Sequence, residues 1–190
     1  GTGIVPLLLA AKTSCKDITG LELQKDVADM AERSIKLNNQ EDRMKIIQGD
    51  LRNIRNLGFN SSMNVVTCNP PYMNAGLRNT TDKKLISRHE VMCTLADVCS
   101  AAALTLKSSG KFYMVHRPNR LVDIFNELRK VQLEPKRIRL VHPYENSEAN
   151  MVLLEAVKGG KTQLTVEKPL FVYKEKNIYT DEILRIYAVS

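Results

Sequence analysis

The sequence contains no tryptophan, few aromatic residues (5%) and no long hydrophobic run. Its longest apolar stretch, residues 4–11, is interrupted by Pro6 and is far shorter than the roughly 18 residues of a membrane span. This pattern excludes a transmembrane helix. The hydrophobic (43%) and charged (26%) fractions are ordinary for a folded domain, which excludes a disordered, collagen-like or coiled-coil chain.

Cysteine and histidine are also scarce. The four cysteines form no C-x-x-C pair, and neither they nor the three histidines have the spacing of a zinc site. We therefore expect reduced, mostly buried thiols in a cytoplasmic protein and no metal site. The first residue is Gly1, and no basic and apolar leader is visible, so we expect no signal peptide.

Positive charge is concentrated in the middle of the chain. Residues 76–145 contain 13 Lys or Arg and 7 Asp or Glu, so this segment carries +6 of the net charge of +7. A basic face binds polyanions because it displaces counterions from their phosphates. The expected partner is therefore tRNA or another nucleic acid, and the alternative is a basic surface that is merely solvated.

Short apolar runs alternate with stretches at helical spacing, which is typical of an open α/β sheet. We predict one domain over residues 1–190. The predicted strands cover residues 17–23, 44–48, 63–68, 111–116, 136–142 and 151–157, and the last two are expected to form a hairpin. The predicted helices cover residues 4–12, 26–37, 90–107, 121–131 and 180–187.

Ligands of open α/β sheets bind outside the carboxyl ends of the strands. Gly1 and Gly3 form a turn before the first helix, and Glu22 ends the first predicted strand. A glycine turn lets a ligand approach backbone N–H groups, and the carboxylate can accept both hydroxyls of a ribose. These residues predict an adenosine-containing cofactor, although a tight turn requires small residues whatever it binds.

The next strand end adds a second carboxylate. Asp50 suits the amino group of an adenine, and its alternative role is to cap the following turn. We assign its neighbour Leu51 to the same cofactor site. Pro6 occupies the position at which a nicotinamide-type G-x-G-x-x-G/A motif has Gly or Ala, which disfavours a dinucleotide.

The most specific motif is Asn69-Pro70-Pro71-Tyr72, directly after an apolar strand. Successive prolines restrict the backbone and hold the carbonyl of Pro70 in one direction. Together with the side-chain oxygen of Asn69 and the ring of Tyr72, this carbonyl matches a planar N–H₂ group. Two acceptors draw the nitrogen lone pair out of conjugation, so the motif predicts methylation of an amine by positioning and electrostatics. The alternative is a plain Asn-Pro turn with a packed tyrosine.

At these residues the chain resembles the S-adenosylmethionine-dependent methyltransferases that modify amino nitrogens. Further segments resemble the bacterial valine-tRNA adenine-N6 methyltransferases, and with them the likeness covers nearly the whole chain. These segments are Arg88-His89-Glu90, Phe112-Tyr113-Met114-Val115-His116-Arg117-Pro118, Glu148-Ala149-Asn150 and Tyr179-Thr180-Asp181-Glu182.

The resemblance implies a Rossmann-like, seven-stranded sheet with an antiparallel last strand. It implies S-adenosylmethionine as cofactor, contacted by Gly1, Gly3, Glu22 and Asp50, and a target adenosine of tRNA held by Asn69, Pro70 and Tyr72. We place Asn69 at the cofactor as well. Family members carry a preceding segment with the first strand and an earlier glycine, so we expect this domain to be N-terminally incomplete.

Basic residues near the predicted site are candidates for RNA binding. A polar segment, residues 74–87, is predicted to overhang the preceding strand end. It contains Lys83 and Lys84 and is followed directly by Arg88, and these three are candidates to contact RNA. Arg117 and Arg120 follow another strand end, where they can contact phosphate. Lys136, Arg137 and Arg139 form either an RNA track or a solvated strand face.

Three alternatives to the tRNA activity stay open at this point. The same chemistry suits an rRNA base, a DNA base or the amide of a protein glutamine, because each presents a planar N–H₂ group. A non-catalytic RNA-binding module with a methyltransferase fold is another. A nicotinamide oxidoreductase is the most distant, since Pro6 interrupts its motif.

Overall fold

The computed structural model follows the predicted alternation of strands and helices, and it describes residues 2–70 and 93–188. The helices are α1 (Ile4–Lys12), α2 (Lys25–Leu37), α3 (Leu95–Thr105), α4 (Leu121–Lys130) and α5 (Asp181–Tyr187), with 3₁₀ helices at Leu51–Leu57 and Pro118–Arg120. The strands are β1 (Ile18–Glu22), β2 (Met44–Gln48), β3 (Met63–Cys68), β4 (Leu106–His116), β5 (Leu133–His142), β6 (Met151–Lys158), β7 (Thr165–Val166), β8 (Leu170–Phe171), β9 (Tyr173–Glu175) and β10 (Ile178–Tyr179).

The chain folds into two compact units, and the first combines Gly1–Phe59 with Asp181–Ser190. In this unit β1 and β2 pair in parallel, with Ile18 opposite Met44 and Glu22 opposite Gln48. Helix α2 buries Ala28, Ala31 and Ile35, which lie on one face because their spacing matches the helical period. The apolar core is built from Ala10, Ile18, Ile35 and Met44, with Leu7, Leu9 and Ile46 packed against it.

The second unit, Asn60–Thr180, is built on a six-stranded mixed sheet. Its strands follow the order β3-β4-β6-β5-β7, and β8 also pairs with β5. Strand β6 lies between β4 and β5 and is antiparallel to both, so β3, β4 and β5 run in one direction. The predicted terminal hairpin of β5 and β6 is therefore confirmed.

One face of this sheet forms the core of the second unit. Phe112, Met114 and His116 of β4 alternate with residues that are less buried, and they lie opposite Ala156, Leu154 and Val152 of β6. Ile124 and Leu128 of α4 are also fully buried. The alternation has a period of two because successive side chains of a strand point to opposite faces.

Several boundaries differ from the prediction. The helix predicted to begin at residue 90 begins at Leu95, because Thr94 and Asp97 form a capping box there. The helix predicted to reach residue 107 ends at Thr105, and β4 begins at Leu106, with a break in register between Met63 and Val65 of its partner strand. Gly110 lies at this irregularity, where an added Cβ would meet the carbonyl oxygen of Lys107 at 2.9 Å. Strand β5 starts earlier than predicted, and it accommodates Pro135 at an irregularity in its pairing with β6. Proline is tolerated there because the ladder is already interrupted.

The predicted α/β fold with an antiparallel last strand is confirmed, but its strands form more than one sheet. Strands β1 and β2 make a two-stranded sheet, and β9 and β10 make a small hairpin beside the six-stranded sheet. Within residues 2–70 and 93–188, the strands do not form the continuous seven-stranded sheet that the resemblance implies. Across residues 2–70 and 93–188, no helix is both long and apolar enough to cross a bilayer. The single predicted domain stays a prediction.

Candidate functional site

Gly3 forms the turn that starts α1 in the first unit. Its φ of 87° lies in the left-handed region that favours glycine, and it is the N-terminal cap of the helix. An added Cβ would lie 3.1 Å from the Cβ of Ala31 in α2. The structure therefore gives Gly3 a packing role as well as a conformational one, and its predicted contact with a cofactor stays a prediction.

Glu22 stands at the carboxyl end of β1, as predicted. Its Oε1 accepts the N–H of Gln24 at 3.0 Å, and its backbone oxygen accepts the N–H of Gly49 at 2.8 Å. The second of these bonds ties the end of β1 to the end of the parallel strand β2. The carboxylate is thus held at the edge where ligands of parallel sheets bind.

Asp50 follows the carboxyl end of β2 and caps the 3₁₀ helix that starts at Leu51. Its Oδ1 accepts the backbone N–H of Arg52 at 2.9 Å, and both carboxylate oxygens accept hydrogen bonds from the Arg52 guanidinium. These bonds from Arg52 outweigh the effect of burial and lower the pKa of Asp50. Asp50 therefore has the capping role that the sequence left open as an alternative, and an adenine amine would share this carboxylate with Arg52.

Asn69 and Pro70 leave the carboxyl end of β3 in the second unit. Cys68 is paired with Met114, so the next two residues lie level with Val115 and His116 of β4. Asn69 is exposed and Pro70 is half-buried. The side-chain oxygen of Asn69 and the carbonyl of Pro70 are thus two acceptors at the ligand-binding edge of this sheet.

His116 and Arg117 occupy the same edge at the end of β4. The buried His116 accepts the backbone N–H of Arg117 through Nδ1 at 2.8 Å, which places its own ring proton on Nε2. Burial, followed by the positive charges of Arg120 and Arg117, lowers the pKa of His116. The Arg117 guanidinium donates to the backbone oxygen of Asn150 at 2.8 Å, which fixes it beside the start of β6.

The other predicted RNA contacts of the second unit are engaged in the fold. Arg120 forms an ion pair with Asp123 at 2.7 Å, within the first turn of α4. The three basic residues of β5 join neighbouring segments: Lys136 donates to the oxygen of Lys161, Arg137 pairs with Glu155 and Glu167, and Arg139 donates to the oxygen of Lys168. The structure thus gives these three residues a bonding role within the sheet that neither sequence interpretation included.

Several predicted site residues lie outside the described residues. They are Gly1, Pro71, Tyr72, Lys83, Lys84 and Arg88, together with the segment at residues 74–87. Within the described part of the chain, no group of three or more His, Cys, Asp or Glu side chains could hold a metal ion.

All four cysteines are free thiols. Cys99 is buried as expected, but Cys15 is exposed and Cys68 and Cys93 are only half-buried, so the prediction of mostly buried thiols is wrong. Burial raises the pKa of Cys68, beside Asn69, to about 11 and that of Cys99 to about 12. These two thiols are therefore protonated at neutral pH.

Solved structures share this architecture. A predicted O-methyltransferase from Agrobacterium tumefaciens superposes with a TM-score of 0.79 over 98% of this chain and 84% of its own, at 22% sequence identity. The fold is that of S-adenosylmethionine-dependent methyltransferases. A SAM-dependent methyltransferase from Methanosarcina mazei agrees, with a TM-score of 0.58 over 83% of this chain and 88% of its own at 13% identity.

Curated sequences extend the comparison beyond the methyltransferase fold. Proteins named tRNA1(Val) (adenine(37)-N6)-methyltransferase match from Cytophaga hutchinsonii, at 24% identity over 80% of this chain, and from Porphyromonas gingivalis, at 24% over 82%. The protein of that name from Tolumonas auensis matches at 26% over 98% of this chain and 76% of its own length. No family model matches. The resemblance inferred from the sequence motifs is thereby confirmed.

The match leaves part of those relatives uncovered. The chain spans 63% of the Cytophaga protein and 62% of the Porphyromonas protein, which is less than two thirds of either.

Proposed function

We propose that the protein transfers a methyl group from S-adenosylmethionine to the N6 amine of an adenosine in the anticodon loop of tRNA. The observation that carries this proposal is the pair of acceptors, Asn69 and Pro70, at the carboxyl edge of β3 in a methyltransferase fold. The names of the similar bacterial proteins support adenine as the base and tRNA as the substrate.

The residues at the ends of β1 and β2 suit this cofactor. Adenosine offers two ribose hydroxyls and an exocyclic amine, which are hydrogen-bond donors, and Glu22 and Asp50 are carboxylate acceptors at neighbouring strand ends. We infer that Glu22 holds the ribose, that Asp50 and Leu51 hold the adenine, and that Gly3 lets the cofactor approach the start of α1. When bound, S-adenosylmethionine supplies an electrophilic methyl group on a sulfonium sulfur.

The acceptors at β3 would orient and activate the target amine. The lone pair of an exocyclic amine is conjugated with the ring, so the free base is a poor nucleophile. Hydrogen bonds from both amine protons, one to the Asn69 side chain and one to the Pro70 carbonyl, favour the pyramidal nitrogen that attacks. As the nitrogen forms its bond to the methyl carbon, the bond between that carbon and sulfur breaks and leaves a neutral thioether, and one amine proton is released to solvent. Tyr72 is proposed to stack on the base, which must first leave its own stack.

Arg117 is the described residue best suited to a phosphate of the substrate. Its guanidinium is anchored by the oxygen of Asn150 at the same strand edge as Asn69, and Lys83, Lys84, Arg88 and Arg120 remain further proposed RNA contacts. The four cysteines are free thiols, as is usual for proteins of the cytoplasm, where tRNA is found. The cytoplasmic location stays a prediction.

Transfer of a labelled methyl group tests this proposal. The full-length protein is incubated with tritiated S-adenosylmethionine and an unmodified tRNA1(Val) transcript, and the product is digested to nucleosides. The matched control is the same transcript with guanosine in place of adenosine 37. We expect label in N6-methyladenosine from the first transcript and none from the control.

Other outcomes would move or remove the proposed activity. Label in rRNA, DNA or a protein glutamine, but not in tRNA, would keep the chemistry and change the acceptor. An unlabelled tRNA that nevertheless binds the protein would contradict the activity and support the RNA-binding module.

A further inference from the structure

Three of the six tyrosines in the sequence lie side by side in the second unit. Tyr144 follows β5, Tyr173 begins β9 and Tyr179 ends β10. The ring centroids of Tyr144 and Tyr173 are 5.6 Å apart with planes inclined by 35°, and those of Tyr173 and Tyr179 are 5.0 Å apart and inclined by 17°. These three rings are called the tyrosine stack below. The first pair is tilted and the second is stacked, and aromatic pairs at these separations are favourable beyond the apolar area that they bury.

Backbone hydrogen bonds hold the tyrosine stack in place. Ser147 closes a tight turn on Tyr144, since its Oγ accepts the N–H of Tyr144 at 2.9 Å and its own N–H donates to the Tyr144 oxygen. The N–H of Tyr173 donates to the Pro143 oxygen at 2.9 Å, and Tyr179 pairs with Tyr173 in the β9–β10 hairpin. The ring positions are therefore fixed by main-chain contacts that survive a change of side chain.

The ring of Tyr144 is accessible to a ligand at one end of the stack. Tyr144 is 39% exposed, although it already packs against Tyr173. In a chain with only 5% aromatic residues, this arrangement concentrates aromatic surface at one place. A planar aromatic ligand would extend the cluster by packing on the Tyr144 ring.

The position of the stack relates it to Asn69 within the second unit. Strands β3 and β5 run in the same direction and are separated by β4 and β6, so their carboxyl ends lie at one edge of the sheet. Three strand spacings amount to about 14 Å across the sheet, and the register sets Asn69 level with Arg139, five residues before Tyr144, so the separation is larger than this. It is more than about four times the ~3.4 Å rise per nucleotide along one strand of a nucleic-acid helix. A base held by Asn69 therefore cannot also reach the stack.

We propose that the tyrosine stack binds a second base of the RNA substrate, unpaired and several nucleotides away from the methylated adenosine. This inference rests on the proposed function, because it takes single-stranded RNA as the ligand at Asn69. Aromatic side chains bind unpaired bases by stacking on their faces, largely irrespective of sequence.

Paired substitutions at one ring test this proposal. Tyr144→Phe keeps the aromatic face and Tyr144→Leu removes it, while Tyr187→Leu is the control because Tyr187 is exposed but lies outside the stack. For each variant of the full-length protein, fluorescence anisotropy gives the Kd for an unmodified tRNA1(Val) transcript. Calorimetry gives the Kd for S-adenosylmethionine, and a thermal melt reports folding.

We expect Tyr144→Leu to weaken RNA binding about tenfold or more, as loss of one base–aromatic stack does. Tyr144→Phe and the Tyr187 control should stay within about twofold of wild type, with cofactor affinity unchanged in all variants. A double variant with Tyr179→Leu should weaken RNA binding further. Equal RNA affinities of the leucine and phenylalanine variants would overturn the proposal, as would equal loss in the Tyr187 control.

The two proposals fail in different ways. If the wild-type protein binds the transcript without methylating it, the proposed function is contradicted. The RNA affinities of Tyr144→Phe and Tyr144→Leu then still test whether the stack binds a base. If the wild-type protein methylates the transcript and neither Tyr144 variant changes the RNA affinity, only the proposed role of the tyrosine stack is overturned. A wild-type protein that binds no RNA overturns both.

Discussion

Arg137 of β5 and Glu155 of β6 face one another across antiparallel strands, and Nη2 and Nε of the arginine donate to Oε2 of the glutamate at 2.6 and 3.1 Å. The Glu155 side chain is only 9% exposed. Tyr113 of β4 lies opposite Glu155 on its other side and is hydrogen-bonded to it, and Lys111 lies at 3.6 Å. A nearly buried carboxylate is thus satisfied by groups from both neighbouring strands, as a buried charge requires.

This arrangement predicts a loss of stability in acid. Burial acts to raise the pKa of Glu155, but the hydrogen bonds from Arg137 and Tyr113 prevail and lower the pKa below its ordinary value of 4.5. A lowered pKa stabilises the fold above about pH 4.5, and this stabilisation is lost as the pH falls through the pKa of the folded state. Urea unfolding between pH 7 and pH 3 should show this loss.

Removing the arginine should lower the stability at neutral pH. Arg137→Leu leaves Glu155 without its principal partner, and we expect the free energy of unfolding at pH 7 to fall by about 1–3 kcal/mol. Arg129→Leu, which breaks a more exposed ion pair with Glu134, should cost about 0.2–1 kcal/mol. Equal losses in the two variants would show that the pair at Glu155 has no special importance.

Asn69 is predicted to act on the methyl-transfer step itself. Asn69→Ala should lower kcat by about 10²- to 10³-fold, the usual effect of removing one positioned polar group, and should also weaken S-adenosylmethionine binding, because Asn69 is placed at the cofactor as well. Asn64→Ala is a suitable control because Asn64 lies on the same strand and its side chain accepts a hydrogen bond from Lys107. A fully active Asn69→Ala protein would refute the catalytic assignment.

Glu22 and Asp50 should differ in what their loss does. Glu22→Ala is expected to weaken S-adenosylmethionine binding about 10- to 100-fold, measured by calorimetry, because a charged hydrogen bond contributes about 1.5–3 kcal/mol. Asp50→Ala should weaken binding and also lower stability by about 0.5–2 kcal/mol, since it uncaps the 3₁₀ helix. The exposed Glu41 provides a control in the same unit. Unaltered cofactor affinity in both variants would remove them from the site.

The two arginines after β4 should contribute unequally to RNA binding. Arg117→Ala is expected to weaken tRNA binding and to reduce the slope of log Kd against log salt by about 1, as loss of one phosphate contact does. Arg120→Ala should have the smaller effect, because Asp123 already neutralises its charge. Titrations at several salt concentrations measure both slopes. The reverse order of effects would exchange the roles proposed for these residues.

Local patterns predicted the elements closest to the site with the greatest accuracy. Strands β2 and β3 have the predicted bounds, because each is a short apolar run that ends at residues unable to extend it, Gly49 after the first and Asn69-Pro70 after the second. The start of β4 was predicted less well. The polar residues 107–110 were interpreted as a helix end and a break, but pairing with β3 holds them in an extended conformation.

The tyrosine stack could not be predicted from the sequence. Tyr144, Tyr173 and Tyr179 belong to separate short segments, and no periodicity links them. They meet because β8 pairs with the end of β5 and the following hairpin returns Tyr179 to Tyr173. The cluster around Glu155 has the same origin, since only the register of three strands brings Tyr113, Glu155 and Arg137 into one row.

The sequence by itself determined the class of fold and the residues that stand at strand ends, because these depend on short-range apolar spacing and on the rigidity of proline. Only the tertiary structure decided which groups those residues meet. Asp50 is engaged by Arg52, Gly3 packs against Ala31, and the basic residues of β5 bind their neighbours in the sheet. Such contacts join residues far apart in the chain as well as close neighbours, and they depend on strand order, register and side-chain direction.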